Sequence, residues 1–526
     1  MKREDLIAPE DYNLVEEIEQ FAKNPEKLAI LFENDLGSTD SITYDGLIRR
    51  ANQVANVFAN HGLQKGDVVL IMVPRLIDAY ITYVAALKAG LVVIPSSEML
   101  RAKEIDYRLV HSNAKAVIAY EPFIDQFDQV QHLKDVQQYV IGQAHTPWIP
   151  MIQEAEKESE EFENAKTKSE DMAFLSYTSG TTGNPKGVVH THGWAFAHLK
   201  TAAAHWLGIH EGDVVWATAS PGWQKWIWSP FLSVLGSGAT GFVYNGRFHA
   251  DKYLSLLEKY KVQVLCCTPT EYRVMAKVDH LANYDLSALH SAVSAGEPLN
   301  QEVINIFKRA FNLDVRDGYG QTENTLLIGN LKGVPTKPGA MGKPTPGNVV
   351  DVIDEDGQPC PAGIVGDIAV HRSTPALFKE YLNDPERTAR QFRGDYYVTG
   401  DRAKKDEDGY FFFEGRNDDI IISSGYTIGP FEVEDALVKH PEVQECAVIA
   451  SPHEVRGNIV KAFIVLKDAS KASEELVKEL QDHTKNLTAP YKYPREIEFV
   501  KELPKTSSGK IRRIELRELE NNKQHI

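Results

Sequence analysis

The sequence predicts a layered α/β fold: a large N-terminal part of several subdomains, with αβ sheets and a small β-rich, barrel-like subdomain, followed by a small α+β C-terminal part. Three observations carry this expectation. Apolar strands alternate with apolar-spaced helices before residue 340; the texture then changes to short strands joined by turns such as Asp356-Gly357 and Asp408-Gly409; and beyond Pro430 a helix is followed by two apolar strands. At 526 residues and 43% hydrophobic, the chain can bury several cores of roughly 100–200 residues each.

The elements follow in order. After Gly66, VVLIMVP reads as a buried strand, LIDAYITYVAALKAG as a helix and LVVIPS as a second buried strand, together a right-handed βαβ unit. The alternation recurs at Ala116–Tyr120, Gly238–Val243 and Val262–Cys267. VVDVIDEDGQPCPAGIVGDIAVH and YYVTGDRAKKDEDGYFFFEGR supply the β-rich subdomain. Pro430 suits a first helical turn, and ECAVIASP and KAFIVLK read as strands of the small domain. The division is expected near Asn417 and Asp418, giving an N-terminal domain of residues 1–417 and a C-terminal domain of residues 418–526.

Composition narrows the function classes. Lys plus Arg number 57 against 74 Asp plus Glu, so the net charge of −17 argues against nucleic acid or an anionic membrane as the main partner. From Lys485 to Ile526 the balance reverses, with 10 basic and 6 acidic residues, so an anion is expected at that end. Four cysteines, two of them adjacent (Cys266, Cys267), form neither a disulfide framework nor a zinc signature. The acid-rich amino terminus is no secretory signal, and charges and Pro74 interrupt the most apolar stretch, so no membrane span and a cytoplasmic location are expected.

The strongest chemical signal is LSYTSGTTGNPKGVVHTH, Leu175–His192. Glycines 180, 183 and 187 permit positive φ and let N–H groups converge on an anion, while Thr178, Ser179, Thr181 and Thr182 add hydroxyls and Lys186 adds charge. That is a phosphate cradle. It lacks the G-x-x-x-x-G-K-[ST] spacing, which disfavours a P-loop kinase or NTPase.

With SAGEPL (Ser294–Leu299), DGYGQTEN (Asp317–Asn324), TGD (Thr399–Asp401), GRNDDIIISSGYTIGP from Gly415 and LPKTSSGKIRR from Leu503, the chain resembles the adenylate-forming superfamily over nearly its whole length. Within it the chain looks most like the medium-chain acyl-CoA synthetases. The resemblance implies ATP and CoA as co-substrates, with Mg²⁺. Tyr319 would stack on adenine, with Gly296, Glu297 and Pro298 walling the base and Asp317, Gly318 and Gln321 beside it. Asp401 would accept from the ribose hydroxyls, Arg416 would contact ribose and phosphate, and Thr322 and Glu323 would face the α-phosphate and its metal. Lys510 would stabilise the charge of the adenylation transition state. Asp418 matches the hinge, about which a mobile C-terminal domain would exchange Lys510 for the face carrying Gly425, which lines a thiol tunnel. Lys485, Lys492 and Arg495 are candidates for the CoA phosphates.

For the acid, Gly320 replaces a tryptophan found in acetate-specific relatives, which implies room for several carbons, while Trp223, Gln224 and Lys225 would line the acyl group. Thr427 stands where relatives usually carry Arg. The expected reaction is AMP-forming activation of a short- to medium-chain acid, branched acids included, and transfer to CoA. An aryl-acid CoA ligase, a ligase loading a carrier protein and a non-catalytic nucleotide-binding relative stay open as alternatives.

Overall fold

The computed structural model describes every residue except 144–145, 179–183, 297–298, 417, 424–425, 454–455, 489–490, 507–509 and 524–526, and the side chains of 426, 427 and 457. Two large sheets dominate, a smaller antiparallel sheet follows, and a small α+β unit closes the chain.

The βαβ unit forms as the sequence predicts: strands Val68–Met72 and Val92–Pro95 pair in parallel, with helix Ile77–Lys88 between them. Both strands are buried throughout, as befits a parallel sheet covered on both faces. The helix too is buried at all positions but Asp78, and Lys88 at its end pairs with Glu19. Ala116–Tyr120 and Gln137–Ile141 extend the sheet on one side. On the other side Met172–Thr178 joins Val92–Pro95 and turns back antiparallel as Lys186–Thr191. Thr178 and Lys186, which flank the segment expected to cradle phosphate, face each other at the ends of these two strands. This corrects one expectation: Gly187 has no positive φ but sits in the extended return strand, where a Cβ would come within 3.0 Å of Leu175 Cδ1. Strand Glu380–Tyr381 adds to the outer edge of the hairpin, opposite Val188 and Val189.

The second large sheet has a parallel centre of Leu28–Asn34, Thr240–Asn245, Val214–Ala217, Val264–Cys266, Ser291–Ala295 and Val315–Gly320. Leu326–Gly329 returns antiparallel beside Val315–Gly320. The carboxyl ends of these parallel strands carry Ala295, Gly296 and Gly320, placing the candidate residues where open α/β sheets bind ligands. The antiparallel sheet contains Val350–Ile353, Gly366–His371, Tyr396–Lys405 and Phe411–Arg416, in agreement with the turn-rich texture.

Beyond Arg416 the chain makes helix Pro430–Val438, strands Val443–His453 and Gly457–Leu466, helix Glu474–Leu487 and a final helix, Arg513–Lys523, which the sequence reading did not anticipate. Its own core gathers Ile421, Val433, Leu437, Val448, Ile464 and Leu480. No helix among the described residues is long and apolar enough to cross a membrane.

Candidate active site

Three chain segments meet around Glu323. The hairpin return strand supplies Lys186, the turn after Val315–Gly320 supplies Glu323, and edge strand Glu380–Tyr381 supplies Tyr381. Lys186 Nζ lies 2.9 Å from Glu323 Oε1, and the Tyr381 hydroxyl donates to the same oxygen at 2.8 Å. The Lys186 ammonium also sits 4.6 Å from the centre of the Tyr381 ring. Glu323 is 6% exposed, so its charge is held by partners rather than by water. Thr322, its neighbour, is half-buried, and no helix starts there. Thr178 Oγ1, at the end of strand Met172–Thr178, is buried without a hydrogen-bond partner among the described residues. A buried hydroxyl of that kind fits a phosphate oxygen, and the oxygen donors of Glu323 and Thr322 fit a hard Mg²⁺ ion.

A second cluster forms where the antiparallel sheet leans on the parallel one. Asp401 Oδ2 accepts from the Tyr319 hydroxyl at 2.6 Å and from Gln321 Nε2 at 2.9 Å. In this structure Tyr319 thus braces the carboxylate expected to hold the ribose, while its ring packs beside a core containing Leu327, Ile328 and Tyr397. Burial pushes Asp401 upward, opposed by the Tyr319 hydroxyl and the Arg416 charge. Arg416 is its direct partner on the adjacent strand and reaches Asp418 Oδ1 at 3.1 Å, so the ribose and hinge positions share one arginine. Asp317 is buried at the back of the site, accepting from Gly318 N at 2.9 Å, and burial pushes its carboxyl up to about 7. Gly318 is required there: a Cβ would lie 2.6 Å from the Trp206 indole.

Lys510 reaches this region from the small domain. Next to it Lys505 bridges Ile511, and the Lys510 N–H donates to Thr506 Oγ1 at 3.1 Å. A Cβ built on Gly296 would stand 3.7 Å from Lys510 Cε and 3.9 Å from Nζ. The C-terminal lysine is therefore next to the wall expected for the base.

On the side expected to hold the acyl group, the tryptophans of the run Trp223, Trp226 and Trp228 part company. Trp226 packs into the core against Phe231, Tyr80 and Tyr83. Trp223 is 40% exposed. Trp228 is the one beside Gly320: a Cβ on Gly320 would lie 2.9 Å from its Cη2 and 2.1 Å from Thr325 O. The expected room at Gly320 is thus occupied in this structure by main chain and a different indole, which the sequence brings in from 92 positions upstream. Gln224 is buried and accepts from Ser176 Oγ, tying its segment to strand Met172–Thr178. Lys225 Nζ lies 3.4 Å from Ala295 O and 5.5 Å from the Trp206 ring centre, and lines a cavity of about 40 Å³ with Ala217, Ser229, Cys266 and Ala295.

The candidate CoA cations are already engaged. Lys485 and Arg495 both lie over the Tyr493 ring, and Arg495 also donates to its hydroxyl at 2.9 Å. Lys492 pairs with Glu432 at 2.5 Å. Ser179, Gly180, Thr181, Thr182, Gly183, Glu297, Pro298 and Gly425, the boundary residue Asn417 and the side chain of Thr427 lie outside the described residues. Tyr381, Trp206 and Trp228 had no individual signal in the sequence; only the run of tryptophans hinted at the last.

A separate group of His210, Asp213 and His290 brings three ligand atoms within 4.8 Å. It lies at the amino ends of Val214–Ala217 and Ser291–Ala295, opposite the site. Asp213 Oδ2 already accepts from His290 Nε2 at 2.9 Å and His210 N at 2.8 Å, and Lys332 Nζ caps His290 Nδ1 at 2.5 Å. That network closes the starts of two strands.

The sequence model of the AMP-binding enzyme family matches residues 18–382, and that of the AMP-binding enzyme C-terminal domain matches residues 432–510. The chain belongs to the AMP-binding enzyme family. Among relatives, it is 63% identical over 520 residues to an uncharacterized acyl-CoA ligase, YtcI, of Bacillus subtilis (strain 168), covering 99% of this chain and 98% of the relative. It is 42% identical over 485 residues to the mitochondrial acyl-coenzyme A synthetase ACSM3 of Mus musculus, covering 90% and 83%. Among solved structures of the family, the anthranilate CoA ligase AuaEII in complex with anthranoyl-AMP superposes with a TM-score of 0.91 at 30% identity, each chain covered fully. A benzoate CoA ligase from Burkholderia xenovorans LB400 gives 0.85 at 30% identity, covering 96% and 100%.

Proposed function

We propose that the protein is an AMP-forming acyl-CoA synthetase for short- to medium-chain carboxylic acids, branched acids included. The observation that carries this reading is the placement of Lys510, from the small domain, against Gly296. The acid's carboxylate oxygen attacks the α-phosphorus of ATP, pyrophosphate leaves, and acyl-AMP is formed. Charge builds on the oxygens being exchanged, and fixed cations stabilise it without reorganising. Lys510 from one side and Lys186, held by Glu323 and Tyr381, from the other are suited to that work. Asp401 and Tyr319 orient the ribose and base side. Mg²⁺, when bound with ATP, would neutralise phosphate charge, with Glu323 and Thr322 as its holders.

The CoA thiolate then attacks the acyl carbon, AMP leaves with the electron pair, and the thioester is released. Lys510 has no part in that second step. A rotation of residues 418–526 about Asp418 would withdraw it and bring in the Gly425 face, with Lys485, Lys492 and Arg495 toward CoA; their present partners are exposed or shared and exchange readily for phosphate. The small cavity beside Lys225, and the Trp228 indole against Gly320, support compact acids over long ones. All four cysteines are buried free thiols, which supports residence in the cytoplasm.

An aryl-acid substrate is the second reading, favoured by the structural similarity to the anthranilate and benzoate ligases. One experiment separates these. Purified protein is incubated with MgATP, CoA and acids from acetate through branched four- and five-carbon acids to octanoate and benzoate, and nucleotide and thioester products are quantified. AMP and acyl-CoA with branched aliphatic acids are expected. A clear preference for benzoate selects the aryl reading; ADP, or AMP without CoA thioester, overturns the synthetase.

A further inference from the structure

The turn that carries Thr322 and Glu323 is irregular and largely shielded from water, so its carbonyls need donors from elsewhere. Those donors form an ordered set. His190 Nε2 lies 2.5 Å from Thr322 O, Phe378 N donates to Glu323 O at 2.7 Å, and Trp194 Nε1 donates to Asn324 O at 3.0 Å. His198 continues the series, with Nδ1 at 2.8 Å from Thr325 Oγ1.

His190, Trp194 and His198 are spaced four residues apart, along the end of the hairpin return strand and helix His192–His198. Their rings stack, with centroids 4.5 Å apart for His190 and Trp194 and 5.2 Å for Trp194 and His198. All three are essentially without solvent exposure. The chemistry of the acceptors fixes the tautomers. A carbonyl only accepts, so His190 carries its proton on Nε2; its Nδ1 has no partner among the described residues. His198 Nε2 faces Trp228 O at 2.8 Å, so it too is the protonated nitrogen, and Nδ1 accepts the Thr325 hydroxyl proton.

We propose that His190, Trp194 and His198 are positioning residues for acid activation: a stacked ladder that locks the main chain of residues 322–325 so that Thr322 and Glu323 meet the phosphates in fixed register, and that ties this turn through His198 to Trp228 at the acyl wall. The inference rests on the synthetase reading and extends it. The ladder touches no substrate. It acts by holding the backbone from which Glu323 projects, where a displacement of about 1 Å costs on the order of 100-fold in rate. It also links phosphate register to acyl fit, because one imidazole bonds both Thr325 and Trp228.

His190→Leu keeps much of the side-chain volume and removes the donor; His190→Gln restores a donor at similar reach. Acid-dependent pyrophosphate exchange, thioester formation from supplied acyl-AMP, and thermal unfolding are measured for both. The expected result is that His190→Leu lowers kcat of exchange by about 10- to 100-fold, with KM for the acid changed by less than about 3-fold. Thioester formation from acyl-AMP stays within about 2-fold of the parent, and His190→Gln recovers most of the exchange rate. Exchange unchanged in His190→Leu, or equally lost in His190→Gln while both variants remain folded, overturns the ladder. If the parent protein activates no acid, the synthetase reading fails by itself. Calorimetric MgATP binding then decides the ladder: an about 10-fold weakening in His190→Leu that His190→Gln reverses supports it, and equal affinity in all three overturns it.

Discussion

Lys186 and Glu323, 137 residues apart in sequence, meet at 2.9 Å with the Tyr381 hydroxyl on the same carboxylate oxygen. The pair joins the hairpin strands Met172–Thr178 and Lys186–Thr191 of one large sheet to the turn after Val315–Gly320 in the other. Glu323→Gln keeps an oxygen for Lys186 and Tyr381 but removes the charge. Unfolding free energy is expected to fall by only about 1 kcal/mol, whereas acid-dependent pyrophosphate exchange should drop about 100-fold or more and the Mg²⁺ requirement rise. Exchange that persists at the parent rate would remove Glu323 from the phosphate site.

Lys510 lies beside Gly296 yet is carried by a different domain. Lys510→Ala is expected to reduce activation of free acid by at least about 100-fold and to leave thioester formation from supplied acyl-AMP nearly intact. Equal loss in both half-reactions would reject the assignment of Lys510 to a single step.

Asp317 offers a pH test. Burial raises its carboxyl from 3.8 to about 7 in the folded protein. Between those values the native state holds a proton that the unfolded chain releases, so stability falls as pH rises from about 4 to 7, and the cost is fully present above 7. That cost is on the order of 4 kcal/mol at most. Asp317→Asn is therefore expected to unfold at a higher temperature than the parent at pH 8, with the difference shrinking toward pH 4. A constant difference across that range would show that the carboxyl ionises normally.

Trp228 Cη2 lies against Gly320, on the side proposed to hold the acyl group. A side chain on Gly320 would collide with Thr325 O, so Gly320→Ala should destabilise the fold by roughly 1–3 kcal/mol. Trp228→Ala instead opens space. It should shift the ratio of kcat/KM for six- to eight-carbon over four-carbon acids upward by about 10-fold. An unchanged chain-length profile across an acid panel would place the acyl group elsewhere.

Much of this molecule was legible in the sequence, because the signals involved are local. Continuous apolar runs bounded by Gly and Pro located the parallel strands, and the βαβ unit from Val68 to Pro95 formed as read. The order of short motifs was sufficient to mark the family. The segment expected to cradle phosphate was only half legible. Its glycines and hydroxyls were visible, but Gly187 proved to serve strand packing, because the return strand pairs residue for residue with Met172–Thr178.

The sequence by itself determined the sheet-forming segments, the motif residues and the family they identify, since each depends on neighbours a few positions away. The tertiary structure alone decided which side chains share a site. Tyr381 reaches Glu323 because an edge strand pairs with Val188 and Val189, the Trp228 indole comes to rest against Gly320, and His190, Trp194 and His198 line up under a turn about 130 residues away. No local pattern encodes such meetings: strand order and layer packing set them, and these follow from burying the whole apolar surface at once.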